Sequence, residues 1–307
     1  MRVISFEKKI SGFKQPSFGL LTEDGIIDVG AKLSETDLYP EPRLDLRTMM
    51  KRNSHSLEDL RHFETEDADI AEADITYLPV IPNASKILCV GINYLSHIKE
   101  TGRDTPKYPV LFTRFADSIV GHNCPLIRPK VSTDFDYEGE LAVIIGKRAR
   151  HVSQAEAMDY VAGYSCFNEG SIRDFQMHTI QFTAGKNFYK SGGFGPWMVT
   201  SDEQPDPGAF HLQTRLNGQV LQDAPVSDLC FNIPQLIEYC SSWTPLEPGD
   251  VIVSGTPGGV GRVRKRPIWM KPGDVVEIDI TGVGVLRNTI IDEDPAQLGL
   301  PDNSVSR

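Results

Sequence analysis

The chain has 307 residues, which is enough for one large domain or for a large and a small one. Its 31 Lys and Arg against 42 Asp and Glu give a formal net charge of −11, which disfavours both nucleic acid and anionic membranes as partners. Five dispersed cysteines without a CxxC motif, and charged residues rather than an apolar run in the first ten positions, predict a reduced, cytoplasmic protein.

Residues 1–80 are predicted to form a small β-rich N-terminal domain and a connector. Asp24-Gly25 lies between apolar segments, a pattern typical of a β-hairpin turn. Apolar residues over 44–63 recur at helical spacing, and Pro79 and Pro82 precede a short apolar strand at 87–90. The main domain is therefore placed at residues 81–307.

The larger part is expected to be mainly β, because turn residues separate many short segments that are rich in Val and Ile. Asn217-Gly218 predicts a type I′ hairpin turn. A capping box at Ser153 and Glu156 predicts a helix over 153–161, and a second helix is predicted over 232–241. These elements together indicate an α+β, mainly β, fold class.

Four acidic residues stand at alternate positions before the apolar run 141–145: Asp134, Asp136, Glu138 and Glu140. In one β-strand these side chains would share a face. Carboxylates beside a buried run need a counter-charge, which a hard divalent cation such as Mg²⁺ or Mn²⁺ supplies through oxygen ligands. The alternative is an edge strand with a solvated acidic face.

Two further segments place polar side chains at helical spacing. Glu169 is predicted at the start of a helix on which Arg173 and Gln176 share a face. His97 and Glu100 are three residues apart, so the carboxylate can orient the imidazole and raise its basicity. Ordinary roles remain open for both: Glu169 can complement a helix dipole, and His97 with Glu100 can be a surface pair.

The glycine-rich segment 254–261 contains Thr256, and its backbone N–H groups can hold a substrate carboxylate. It matches neither the Walker pattern nor GxGxxG followed by a helix, so nucleotide binding is not indicated. Lys186, in the segment 185–188, is a further candidate for a site residue.

Taken in order, these motifs resemble the fumarylacetoacetate hydrolase family over about residues 85–290. The matching segments are 90–94 with His97 and Glu100, 136–140, Arg173-Asp174 with Gln176, 185–186, 195–197, 246–253 and 254–257. The resemblance implies a mixed β-roll or barrel fold and a homodimer. It also implies a divalent metal, Mg²⁺ or Mn²⁺, held by Glu138, Glu140 and Glu169.

The resemblance further implies roles for the remaining polar residues. His97 and Glu100 would be a water-activating dyad on a mobile lid, with Lys186 as a third catalytic residue. The substrate would be bound by Tyr94, Arg173, Gln176 and Thr256. Two positions depart from the family pattern: Glu169 stands where aspartate is usual, and Arg114 where a lysine is usual.

This set predicts an enzyme that hydrolyses a C–C bond in a 2,4-dioxo acid, such as an acylpyruvate or a compound like fumarylacetoacetate, in aromatic or sugar-acid catabolism. The metal would stabilise the enolate leaving group, and His97 would activate water. A 2-oxo-acid decarboxylase or tautomerase and a dienoate hydratase remain alternatives on the same scaffold. A metal-binding protein without turnover is the alternative from another class.

Overall fold

The computed structural model describes residues 1–10, 13–34, 45–52 and 56–294. The α-helices are short: α1 (Val29–Ser34), α2 (Leu46–Arg52), α3 (Ser56–Asp59), α4 (Leu95–Thr101), α5 (Arg173–Gln176), α6 (Thr183–Lys186) and α7 (Ile233–Trp243). The strands are β1 (Arg2–Ile10), β2 (Phe13–Leu21), β3 (Ile26–Ile27), β4 (Ile75–Tyr77), β5 (Ile87–Gly91), β6 (Val110–Thr113), β7 (Ile119–Val120), β8 (Leu126–Arg128), β9 (Phe135–Asp136), β10 (Gly139–Ile145), β11 (Val161–Asn168), β12 (Ser171–Ile172), β13 (Gly192–Thr200), β14 (His211–Leu216), β15 (Gln219–Pro225), β16 (Val251–Val253), β17 (Val275–Ile280) and β18 (Gly284–Asp292). The predicted fold class, α+β and mainly β, is confirmed.

The strands form two large sheets and one small one. The larger sheet is mixed and runs β3-β2-β1-β13-β11-β10-β16-β5-β6, with β4 paired to β1 and β7 paired to β13. The second sheet runs β15-β14-β17-β18-β8, and β9 pairs with β12 separately. Strands β10, β11 and β13 therefore lie at the centre of the larger sheet.

Strand β10 is buried on both faces, which explains its uninterrupted apolar sequence. Leu141, Val143 and Ile145 pack in a cluster with apolar residues of the second sheet. Ala142 and Ile144 face a different cluster, which includes apolar residues of β1, β2 and α2. The central strands are thus enclosed between the second sheet on one side and the N-terminal segment on the other.

The N-terminal strands extend the larger sheet. Strand β1 pairs antiparallel with β13, with Arg2 opposite Val199 and Val3 opposite Met198. The predicted division at residue 80 stays a prediction, but the apolar core on this side of the sheet is built from both parts of the chain.

Most local predictions are confirmed. Thr22 donates its backbone N–H to the carbonyl of Gly25 over 2.8 Å in the turn between β2 and β3. Asn217 and Gly218 both have positive φ, 51° and 80°, as a type I′ turn between β14 and β15 requires. Helix α7 begins after Asn232, which forms a reciprocal capping box with Gln235.

The predicted helix over 153–161 is wrong. Ser153 Oγ donates to the Glu156 carboxylate over 2.6 Å. Only a short 3₁₀ turn follows, at Ala157–Tyr160, before the chain enters β11 at Val161. The capping residues satisfy each other, and the pairing of β11 overrides the local helical signal.

The helical spacing over 44–63 corresponds to α2, α3 and a 3₁₀ turn at Leu60–Thr65, with residues 44 and 53–55 outside the described part of the chain. Among the described residues, no helix has the length and apolar character needed to cross a bilayer.

Candidate functional site

Antiparallel pairing of β10 with β11 brings three acidic residues together. Gly139, between Glu138 and Glu140, lies opposite Asn168, and Glu169 follows Asn168 directly. The backbone N–H of Glu169 donates to the carbonyl of Glu138 over 2.8 Å. One carboxylate oxygen from each of the three glutamates lies within 4.8 Å of the others, and all three residues are buried.

The sequence pattern predicted that the four alternating acidic residues share one strand face, and this prediction is wrong. The chain leaves β9 after Asp136 and enters β10 only at Gly139, and β9 pairs with β12 rather than continuing the large sheet. Asp134 is partly exposed, whereas Asp136 is fully buried.

The prediction that Glu169 lies at the start of a helix is wrong. Strand β12 separates it from α5, because Ser171 and Ile172 pair with β9. The predicted contact on α5 is present: Arg173 donates from Nη1 to Gln176 Oε1 over 2.8 Å.

Two buried cations neutralise part of the glutamate cluster. Lys186 Nζ contacts Glu138 and lies 2.7 Å from Glu169 Oε2. Arg173 donates to Glu138 over 2.8 Å. Burial alone would raise the pKa of Glu138, but Arg173 and Lys186 more than offset it and hold that pKa below its usual range.

The pKa of Glu140 is shifted the other way. Burial raises it well above its usual range, and the like charges of Glu169 and Glu138 raise it further. Its Oε2 accepts the backbone N–H of Gly255 over 2.6 Å. Gly255 has a φ of 105°, and a Cβ there would lie 2.8 Å from the Cβ of Asn93, so this position requires glycine.

These residues fit a hard divalent cation. The three carboxylates offer only oxygen donors, and Glu169 Oε1 is buried without a hydrogen-bond partner in the structure. Glu138 contacts both Arg173 and Lys186, and Glu169 contacts Lys186, whereas Glu140 forms an ion pair with neither cation. Glu138, Glu140 and Glu169 would hold such an ion.

The predicted dyad faces the same space. On α4, His97 Nδ1 lies 3.3 Å from Glu100 Oε2, and both residues line a cavity of about 420 Å³ together with the three glutamates. The backbone N–H of Gly259 also donates to the Glu100 carboxylate over 3.0 Å. Burial raises the pKa of Glu100, but His97 and Gly259 outweigh it and lower that pKa.

Three of the four predicted substrate-binding residues line this cavity, and one does not. Arg173, Gln176 and Thr256 line the cavity, together with Lys186. Tyr94 is fully buried and is not among the lining residues. The Thr256 hydroxyl donates to the carbonyl of Gly139 over 3.0 Å and accepts from a glutamine side chain, so it already has protein partners.

The glycine-rich segment 254–261 binds carboxylates of the protein itself. The N–H groups of Gly255 and Gly259 donate to Glu140 and Glu100, and that of Gly261 donates to Asp136 Oδ1 over 2.8 Å. These three N–H groups are therefore used to position site residues, where the sequence pattern predicted a cradle for the substrate carboxylate.

Three features of this site were not predicted from the sequence. Asp136 Oδ2 accepts from Arg173 Nε over 2.8 Å, a contact that the alternating pattern did not reveal. Arg103 and Arg262 line the cavity but belong to no local motif. Arg114 is buried and donates to the carbonyl of Gly170 over 3.0 Å, next to Glu169.

The chain is similar to a known family of enzymes. Residues 86–291 match the family model described as "Fumarylacetoacetate (FAA) hydrolase C-terminal". The chain is 34% identical over 296 residues to oxaloacetate tautomerase fahd2, mitochondrial, of Xenopus laevis, covering 95% of this chain and 90% of that protein.

Solved structures agree. Maleylpyruvate hydrolase from Sphingobium sp. SYK-6, in complex with manganese(II) ion and pyruvate, is similar with a TM-score of 0.76 and 27% identity, over 96% of this chain and 100% of that one. For 5-carboxymethyl-2-hydroxymuconate delta-isomerase from Mycobacterium smegmatis, the TM-score is 0.72 at 30% identity, and the similarity covers 95% of this chain and 100% of that one. The match of the family model and the similarity over nearly the whole length of these relatives show that the chain belongs to the fumarylacetoacetate hydrolase family.

Proposed function

We propose that this chain is a divalent-metal-dependent hydrolase that cleaves a C–C bond in a 2,4-dioxo acid, releasing a 2-oxo acid such as pyruvate. The observation that carries the proposal is the shared cavity: the three buried glutamates and the His97–Glu100 pair line the same space. The pyruvate and manganese in the Sphingobium relative support both the product class and the metal.

A bound divalent cation would stabilise the negative charge that develops on the oxygens of a 2-oxo acid as its enolate forms. His97 would take a proton from water, which adds to the 4-carbonyl carbon. Glu100 is positioned to hold the imidazole in the orientation that this proton transfer needs. The C3–C4 bond then breaks, giving a carboxylic acid and an enolate, which takes up a proton to become the 2-oxo acid.

Two cationic residues of the proposed site have protein partners that orient them. Arg173 uses Nε, Nη1 and Nη2 on Asp136, Gln176 and Glu138. Lys186 is buried between Glu138 and Glu169 and would stabilise an oxyanion that forms beside them. This preorganisation supports catalysis, because little reorganisation is needed when charge develops.

The second candidate function is keto–enol tautomerisation of a 2-oxo acid. It is favoured by the Xenopus laevis oxaloacetate tautomerase, which this chain matches over 95% of its length. In that reaction His97 would move a proton at the carbon next to the 2-oxo group, and no water would be consumed.

The proposal takes Mg²⁺ or Mn²⁺ as the cation, a homodimer as the assembly and the cytoplasm as the compartment. The manganese of the Sphingobium structure supports the choice of metal. The family resemblance supports the dimer.

The test measures pyruvate release from acylpyruvates with Mg²⁺ or Mn²⁺, and again with a chelator, for the wild type and His97→Ala. Loss of a positioned general base should slow hydrolysis by about 10²- to 10⁴-fold. The matched control is His211→Ala, which removes an imidazole from an exposed His211–Asp223 pair. We expect that control to keep wild-type activity.

Unchanged hydrolysis in His97→Ala would contradict the role of the dyad. Interconversion of the oxaloacetate tautomers without pyruvate release from any acylpyruvate would favour the second candidate. Manganese binding by calorimetry without turnover of any 2-oxo acid would leave a metal-binding protein and overturn the proposal.

A further inference from the structure

Gln222 is a buried glutamine whose amide is hydrogen-bonded at both ends beside the candidate site. It lies on β15 of the second sheet and is only 1% exposed. Its Oε1 accepts the backbone N–H of Gly139 over 2.9 Å. Its Nε2 donates to the Thr256 hydroxyl over 2.8 Å and to the carbonyl of Pro257 over 2.9 Å. The burial of this amide is tolerated because its oxygen and its nitrogen both have partners.

The partners of the amide fix its orientation. The Gly139 N–H can only donate a hydrogen bond, and the Pro257 carbonyl can only accept one. If the amide oxygen and nitrogen exchanged places, a donor would face a donor and an acceptor would face an acceptor. Gln222 therefore connects the start of β10 to the glycine-rich segment 254–261 in one defined geometry.

The backbone of Gly139 connects two of the three clustered glutamates. Gly139 lies between Glu138 and Glu140 and begins β10. Gln222 binds its N–H, and the Thr256 hydroxyl donates to its carbonyl over 3.0 Å. A Cβ at this position would clash with a threonine side chain of β14, so the backbone packs closely against the second sheet. The path of the chain between the two carboxylates is thus set by contacts from outside β10.

The glycine-rich segment gives Gln222 a second route to Glu140. The backbone N–H of Gly255 donates to Glu140 Oε2 over 2.6 Å, and the next two residues of the segment are the ones that Gln222 binds. Gln222 is not one of the described residues that line the cavity. It therefore acts on Glu140 through the backbone before it and through the loop that binds its carboxylate.

We propose that Gln222 is a positioning residue for the divalent cation and sets the separation of the Glu138 and Glu140 carboxylates through Gly139 and the glycine-rich segment. Residues that orient metal ligands affect metal affinity without touching the metal. Mg²⁺ demands nearly ideal octahedral geometry, whereas Ca²⁺ accepts a flexible arrangement of oxygen ligands. Loss of positioning should therefore weaken Mg²⁺ binding more than Ca²⁺ binding. This inference rests on the metal of the proposed function and adds a residue on which that metal depends.

The experiment measures cation binding by calorimetry with no substrate present. Mg²⁺ and Ca²⁺ are titrated separately into the wild type, Gln222→Met and the control Gln219→Met. Methionine is similar to glutamine in length and volume but cannot form the three hydrogen bonds. Gln219 is exposed on the same strand, so the control makes the same replacement away from the site. Circular dichroism at the titration temperature verifies that each protein is folded.

We expect Gln222→Met to weaken Mg²⁺ binding by about tenfold or more, as for residues that orient metal ligands. Ca²⁺ binding should weaken by about threefold or less, because its coordination is flexible. Gln219→Met should keep both wild-type affinities. Gln222→Asn keeps the amide on a side chain one methylene shorter, which cannot hold both segments at once. It should show the same selective loss and serves as the second variant if Gln222→Met does not fold.

Unchanged Mg²⁺ affinity in a folded Gln222 variant, or equal losses for the two cations, would overturn the inference. A residue that only stabilises the fold would lower the unfolding midpoint without changing the balance between Mg²⁺ and Ca²⁺. Failure of the proposed function is recognised separately. A chain whose Mg²⁺ affinity depends on Gln222 but that cleaves no 2,4-dioxo acid would keep this role and reject the hydrolase. A metal-dependent hydrolase whose cation affinities are the same with and without Gln222 would do the reverse.

Discussion

At the scale of single residues, the carboxylate of Asp136 links several segments of the site. It is fully buried and accepts from Arg173 and from the backbone N–H groups of Tyr137, Gly261 and Arg262. Burial raises its pKa, although Arg173 opposes the shift. A charge in this position is tolerated because every one of these partners is a donor.

Asp136→Ala should destabilise the fold by about 3–5 kcal/mol, because it removes one partner of a buried ion pair. The measurement is urea unfolding followed by circular dichroism. Asp134→Ala is the matched control: this aspartate lies two residues earlier and is partly exposed, so its loss should change stability by no more than about 0.5 kcal/mol. Equal effects of the two variants would disprove the assignment.

Glu169 stands where aspartate is usual in the family, and the structure shows what its longer side chain contacts. Glutamate is one methylene longer than the aspartate usual in the family. The extended side chain still brings Oε2 to 2.7 Å from Lys186 and within the 4.8 Å cluster. The departure therefore keeps three carboxylates at the site.

At the scale of elements, loops carry the residues that link one strand to another. His122 lies between β7 and β8, and its Nδ1 accepts the backbone N–H of Arg287 on β18 over 3.1 Å. Its ring also stands edge-on to Tyr77 of β4. This neutral histidine therefore links β4 of the larger sheet with β18 of the second sheet.

This arrangement predicts a pH dependence of stability. Burial lowers the pKa of His122 to about 4, whereas an unfolded histidine titrates near 6.5. Between these values the unfolded chain binds a proton that the folded chain does not, so folding is progressively disfavoured as the pH falls from about 6.5 towards about 4.

The variant His122→Gln keeps an acceptor for Arg287 but does not titrate. The unfolding free energy of the wild type minus that of this variant should decrease as the pH falls from about 7 to about 4.5. Urea unfolding at a series of pH values measures the difference. Parallel pH profiles for the two proteins would contradict a depressed histidine pKa.

At the scale of the whole molecule, the N-terminal segment and the catalytic part share one sheet and one core. Strand β1 pairs with β13, and apolar residues of β1, β2 and α2 pack against Ala142 and Ile144 of β10. Neither part can bury this apolar surface without the other.

We therefore expect one cooperative unfolding transition for the full chain, with the same midpoint by near-ultraviolet and far-ultraviolet circular dichroism. Disruption at β1 should lower the midpoint of the entire transition: Val3→Ala, in a fully buried position, should cost roughly 1–3 kcal/mol. Two separate transitions, or a variant that shifts only part of the signal, would show that residues 1–80 fold as an independent unit.

The sequence by itself determined the elements that depend on interactions between residues close together in the chain. Asn217-Gly218 adopts the positive φ angles that its turn requires, and α7 begins directly after Asn232 because a side-chain cap acts within one helical turn. The pairs His97–Glu100 and Arg173–Gln176 also contact each other because residues three apart are neighbours on a helix.

The tertiary structure decided what depends on contacts between distant segments. The break between β9 and β10 separates Asp136 from Glu138 and Glu140, because pairing with β12 draws β9 out of the larger sheet. The convergence of Glu169 with Glu138 depends on the register of β10 against β11. Side-chain direction follows from such pairing, and the pairing depends on residues far away in the sequence, so a local pattern does not contain it.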